Sequence, residues 1–155
     1  MSTLAAEVWP AIAAAAAGES PLWGDALRPE PEREQEPVFS PLADERFALA
    51  VETIYEGYLL HYGRPRLFSP ADRDTALLLG DYLYAQGLVH LAETGSVEAV
   101  SVMAELISLC AQRRGQGDVG DGEAWASAVA GLGDGRAADS EALARAVAAH
   151  DTRVG

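Results

Sequence analysis

Glu52 and Glu56 stand four residues apart in a stretch of helical periodicity, so both carboxylates fall on one helix face and could together hold a divalent cation. A solvated polar face is the plainer reading of the same spacing. Asp81 is more informative, because a carboxylate inside the apolar run 76–92 must be hydrogen-bonded, paired or neutralised. A structural partner is favoured over a catalytic role. His61 and His90 border apolar runs without neighbouring ligand-type residues, and each reads as a packed or capping histidine. Cys110 is the single cysteine; it sits in an apolar helical run with no electropositive setting, so neither a catalytic thiol nor an internal disulfide is expected, and the chain fits a reducing cytoplasm. There is no HExxH, no paired CxxC and no G-x-x-x-x-G-K. The glycine-rich stretches 115–122 and 131–135 follow helices and not strands, which argues against a nucleotide loop, and Gly120 stands where a calcium loop would need a carboxylate or amide ligand.

These residues need helices to position them, and helices are what the periodicity predicts. Residues 3–17 are alanine-rich around Pro10, with Leu4, Val8, Trp9 and Ile12 as the large apolar groups, and read as a helix that caps another surface. Residues 18–40 hold five of the eight prolines and an alternation of glutamates, the composition of an extended or disordered linker. Ser40-Pro41 predicts a helix start, and Phe47, Val51, Ile54, Tyr55, Tyr58 and Tyr62 then recur at three- and four-residue spacing up to the stop at Gly63 and Pro65. Ser69-Pro70 predicts a second start, for a helix running to about Thr94 that is apolar nearly all round and therefore expected at the middle of a bundle or at an interface. Gly80 and Gly87 within it suggest close approach of another helix. Gly95 is placed as a cap, Ser96 opens a third helix to about Arg113, and two short alanine-rich helices follow near 123–132 and 140–150. The fold class expected is an all-α helical bundle. Its organisation divides into a helix at 1–17, a linker at 18–40, a helical core at 41–114, and a glycine-rich break with short helices at 115–155.

The balance of 24 acidic residues against 11 basic ones, all arginine, gives a net charge of −13. That balance argues against nucleic acid and disfavours an anionic membrane surface as partners, since both call for a basic stripe. A solvated acidic shell is the commoner reading of such a charge, and a basic protein partner is compatible with it. The N-terminus lacks a positive n-region and contains Glu7, so no signal peptide is expected, and no apolar run reaches transmembrane length.

Two phrases in the central block carry a resemblance. Ala50-Val51-Glu52, then Ile54, then Leu59-Leu60-His61, resembles the AVELIHxxSLIHDD helix of trans-prenyl (polyprenyl) diphosphate synthases. The run 76–85, ALLLGDYLYA, is similar to that family's later AILAGDYLLA phrase, in the right order, and the likeness covers about residues 46–112. The family's first aspartate-rich motif, DDxxD, is replaced here by Tyr62-Gly63-Arg64-Pro65-Arg66, and the second has no counterpart after residue 114. Without those carboxylates Mg²⁺ cannot be bridged to a diphosphate, and ionisation of an allylic diphosphate loses its electrostatic support.

The resemblance therefore implies the short, non-catalytic subunit of a heteromeric polyprenyl synthase, which shapes a dimer interface and product chain length while Mg²⁺ belongs to a catalytic partner. It implies interface roles for Leu79, Tyr82, Leu83, Gln86 and Val89, and it makes Gly57 and Tyr58 candidates for the floor of a product tunnel. A homodimeric module of the same fold that binds an isoprenoid or a protein is the alternative. A diverged enzyme using Glu52, Glu56 and Asp81 for metal is a third reading.

Overall fold

The computed structural model describes residues 3–118, 120–133, 135 and 139–154, with side chains from residue 7 onward. Leu4 of the first apolar set, and Val119 and Asp134 of the two glycine-rich stretches, lie outside what is described of side chains or backbone. Seven α-helices carry the described chain: α1 (Thr3–Glu19), α2 (Pro21–Ala26), α3 (Ala48–Tyr62), α4 (Arg73–Glu93), α5 (Val97–Gly115), α6 (Gly122–Ala130) and α7 (Ser140–Val154). No strand occurs among the described residues, where Leu27 and Phe68 form an isolated antiparallel bridge, so the all-α class holds. Among them, too, no helix is long and apolar enough to cross a membrane.

The axis of the bundle is α3, in which every residue from 50 to 60 is buried. On one side it meets α1, α4 and the loop after α3, through Leu60, Trp9, Ile12, Leu67, Phe68, Leu79 and Leu83. On the other it meets α5, α6 and α7 through Ile54, Tyr55, Tyr58, Met103, Leu106, Trp125 and Ala146. The sequence expects α4 at the middle of the bundle or at an interface and gives α3 a single apolar stripe; in the structure α3 takes the middle and α4 keeps an exposed side. Leu78 on α4 is 56% exposed and Val89 48% exposed. The reason is the loop at 63–72, which folds back over the polar side of α3 and leaves that helix no solvent face.

The pairing of α3 with α4 depends on the absence of side chains at three glycines. A Cβ on Gly57 would lie 2.8 Å from the carbonyl oxygen of Gly80, one on Gly80 would lie 2.6 Å from the His61 ring, and one on Gly87 would collide with Ile54. The close approach suggested by Gly80 and Gly87 is thus met within the chain.

Helix starts move where the preceding backbone is already committed. The amide N–H of Ser69 donates to the Ala26 carbonyl at 2.7 Å and that of Arg28 to Leu67 at 2.9 Å, holding 67–69 extended, so α4 begins only at Arg73. Asp72 caps it, accepting from the Thr75 N–H at 2.7 Å. Ser40 likewise opens a short 3₁₀ turn and not a helix, a second such turn spans Glu45–Phe47, and α3 proper starts at Ala48. Ser96 caps α5 as expected, and Gly95 takes a φ of +84° that favours glycine.

Residues 18–40 are neither extended throughout nor detached. They form α2 and a 3₁₀ turn at Glu30–Glu32, and they deliver Val38 and Phe39 into the core, Phe39 fully buried between Tyr55 and Trp125.

Two glycine-to-alanine substitutions should act in opposite directions. Alanine favours a helix over glycine by about 1 kcal/mol, so Gly18→Ala, where nothing lies within 4 Å of the new Cβ, is expected to raise the melting temperature. Gly87→Ala gains the same propensity but overpacks against Ile54, and a net loss of roughly 1–3 kcal/mol is expected in thermal or urea unfolding.

Candidate functional site

The carboxylates that could have held a metal are the anchor of a buried ion-pair node. Arg66 is fully buried; its Nη1 donates to Glu52 Oε1 at 2.6 Å and its Nε to Glu56 Oε1 at 3.0 Å. The same guanidinium donates to the carbonyl oxygens of Glu36 and Glu52, at 2.8 and 3.2 Å. Its planar group lies 4.7 Å from the ring centroid of Trp9 and 5.1 Å from that of Tyr55. Burial alone would favour loss of the proton, but Glu52 and Glu56 outweigh it and hold Arg66 firmly charged.

The carboxylates also serve as backbone caps. Glu56 Oε2 accepts from the amides of Arg66 and Leu67 at 2.9 and 2.8 Å, and Glu52 Oε2 accepts from Val38 and Ser40 at 3.3 and 3.1 Å. One cluster therefore joins α1, the segment 36–40, α3 and the loop after it. Glu52 and Glu56 are 1% and 0% exposed, which corrects the solvated-face reading. Nor do they fit Mg²⁺, because their oxygens are already taken by a cation and by four N–H groups. The described residues contain no group of three or more His, Cys, Asp or Glu placed to share a metal ion.

Asp81 does have a partner, the His61 Nε2 at 2.9 Å, but its side chain is 67% exposed, on the outer side of α4 and away from the buried pair. Burial is therefore not what demands that partner. His61 stacks on Tyr84 at 5.1 Å, and His90 lies 3.7 Å from Glu93. Cys110 is buried, and burial pushes its thiol up to about 12, which leaves it inert.

A second polar node lies on the opposite side of α3. Tyr58 donates its hydroxyl proton to Asp121 Oδ2 at 2.7 Å, and Arg114 donates to that oxygen at 3.0 Å and to the Tyr58 hydroxyl at 2.9 Å. Burial, then the hydrogen bond to Asp121, drives the Tyr58 phenol far above its ordinary range, so it stays neutral. His150 on α7 shares a hydrogen bond with the Tyr55 hydroxyl at 2.8 Å. At the end of α7, Arg153 pairs with Glu34 at 3.1 Å and donates to the Arg64 carbonyl at 3.3 Å. These nodes fasten α5, α6 and α7 to α3. Within them Asp121 Oδ1 and His150 Nε2 are buried with no hydrogen-bond partner among the described residues.

The residues named for an interface divide. Leu79 and Leu83 are buried under this chain's own α1, and Tyr82 is half-buried, stacked on Trp23 at 6.1 Å with its hydroxyl donating to the Ala15 carbonyl. Gln86 is half-buried and Val89 exposed. Gly57 lies against Gly80, Leu83 and Tyr84, and Tyr58 is 1% exposed within the aromatic cluster, so neither is placed to floor an open tunnel within this chain. What α4 turns outward is a row at alternating four- and three-residue spacing, Leu78, Tyr82, Ala85, Val89 and Ala92, of which all but Tyr82 are exposed. That is the spacing with which one helix packs along another.

Sequence reasoning missed Arg66, Asp121, Arg114 and Arg153 as structural groups. A signal was present for the first. Leu49, Leu60 and Gly57 lie outside the apolar stripe of α3, so its glutamates had no wide polar face to occupy. No protein-family model, no curated protein and no solved structure matches the chain.

Removing one member of a buried ion cluster leaves the others uncompensated, so Arg66→Met is expected to lower unfolding stability by roughly 3–5 kcal/mol, read in urea titrations. A loss under about 1 kcal/mol would contradict the role assigned to the node. For His150, burial is the main cause holding the imidazole below its ordinary value of 6.5. The unfolded chain then takes up a proton first, so stability from this group is present above pH 6.5 and falls as the pH drops below it. His150→Phe should flatten that slope relative to the wild type between roughly pH 7 and 5.5, measured as urea midpoints.

Proposed function

We propose that this chain is a non-catalytic helical subunit that acts by docking a partner protein on the outer face of α4, the partner being a catalytic polyprenyl diphosphate synthase. The observation that carries the reading is the exposed row Leu78, Ala85, Val89 and Ala92, an apolar strip at interhelical spacing that the chain's own helices leave uncovered. It lies on the helix whose GDYL phrase resembles the dimer-interface region of those synthases. Isolated exposed leucines need no explanation, whereas a spaced row along one helix is what a partner helix covers.

The locked pair Glu52 and Glu56, and the arginines at positions 64 and 66, support a subunit that leaves Mg²⁺ and diphosphate to its partner. Arg66 at the lost motif faces inward and stabilises the fold. Gly57 and Tyr58 are used inside the chain, so an effect on product length would pass through the shape of the docked face. The net charge of −13 favours a different partner over a second copy, because two like-charged chains repel. Association with such a partner should slow as salt rises.

Affinity capture of the tagged chain from its native cells at low salt, with mass spectrometry of what is retained, tests this directly. A near-stoichiometric synthase carrying aspartate-rich motifs is expected, and Leu78→Glu with Val89→Glu, both at exposed positions, should reduce its recovery at least tenfold. Equal recovery by wild type and variant would reject the α4 face. Recovery of this chain alone, with or without bound lipid, would favour the homo-oligomeric binding protein.

A further inference from the structure

The α4 face does not use a second surface, the cleft between α6 and α7. It is an open groove of about 680 Å³ lined mostly by alanines of α6 and α7, with Ser127 on α6 and Leu143 and Val147 on α7. On each helix these positions recur at helical spacing, so the two inner faces form one continuous trough. Glu123 on α6 and Asp151 on α7 line it as well, and no cation does among the described lining residues. Arg145 of α7 lines a different hollow, against Pro41 and Leu42, and Arg153 is buried in its pairing with Glu34, so α7 turns its arginines away from the groove.

We infer that this groove binds an amphipathic helix of a partner protein, with leucine-type side chains on its apolar face and lysine or arginine on its flanks. The alanines leave room for the bulky side chains of an incoming helix, and a cation at its edge would meet Glu123 or Asp151. Charge selects among occupants. A second copy brings its own acidic surplus, and an anionic lipid surface is repelled by the same carboxylates. The nine-residue α6 sets a trough about 13 Å long, which seats two to three turns of helix. This binding is independent of the reading built on α4.

The test is fluorescence anisotropy of a labelled helical peptide, about 14 residues long and made only of leucine and lysine in an amphipathic order, against its leucine–glutamate counterpart. The leucine–lysine peptide is expected to bind, and the leucine–glutamate peptide to bind at least tenfold more weakly. Ala144→Trp, which fills the groove from an exposed position, and the double variant Glu123→Lys with Asp151→Lys should each weaken leucine–lysine binding at least tenfold, with helical circular dichroism unchanged. Leu78→Glu with Val89→Glu should leave it unchanged, which separates this groove from the α4 face. Undiminished binding to Ala144→Trp would show that the peptide sits elsewhere on the acidic surface and overturn the inference. So would equal binding of the two peptides or no binding of either, and self-association abolished by Ala144→Trp would assign the groove to a second copy.

Discussion

The fully buried guanidinium of Arg66 is the constraint from which the rest of the structure follows. A cation without solvent must be surrounded by acceptors, and the chain supplies two carboxylates from one helix, two carbonyls and two aromatic faces. Satisfying it brings the return loop over α3, draws the segment 36–40 against the same helix and seats Trp9 of α1 on top. Because Glu52 and Glu56 also cap four backbone amides, apolar replacement of the three charges would orphan those N–H groups. An isolated buried triad can be exchanged for hydrocarbon with little loss, but this one is tied into the backbone.

That single node also decides which helix becomes the core. Once the polar side of α3 is roofed, α3 is buried on all sides, and α4, richer in leucine, is displaced to the edge with an apolar row facing out. The same arrangement engages the carboxylates in ion pairs and leaves Leu78 and Val89 of α4 exposed.

Much of the local structure was legible because it is written in local terms. The helix at 97–113, the stops at Gly63 and Gly95, the cap at Ser96 and the small-residue contacts of Gly80 and Gly87 follow from periodicity and backbone preference. What was not legible depends on long-range pairing. Val38 and Phe39 sit in a glutamate- and proline-rich stretch with no periodicity, so nothing local marks them as core. Ser69 carries the composition of a helix cap, but its amide is bonded to Ala26, forty-three residues earlier in the chain. The site was misread for the same reason: the spacing of Glu52 and Glu56 favours a solvated face over a metal pair, and only the position of Arg66 distinguishes either from an ion-pair node.

Sedimentation velocity of the purified chain, alone and mixed with a polyprenyl diphosphate synthase from the same cells, tests the proposed docking on α4 most directly. A monomer that converts to a single heteromeric species on mixing is the result the proposal predicts, since like charge opposes self-pairing. A stable homodimer at micromolar concentration that persists in the mixture, and dissociates on Leu78→Glu, would contradict it.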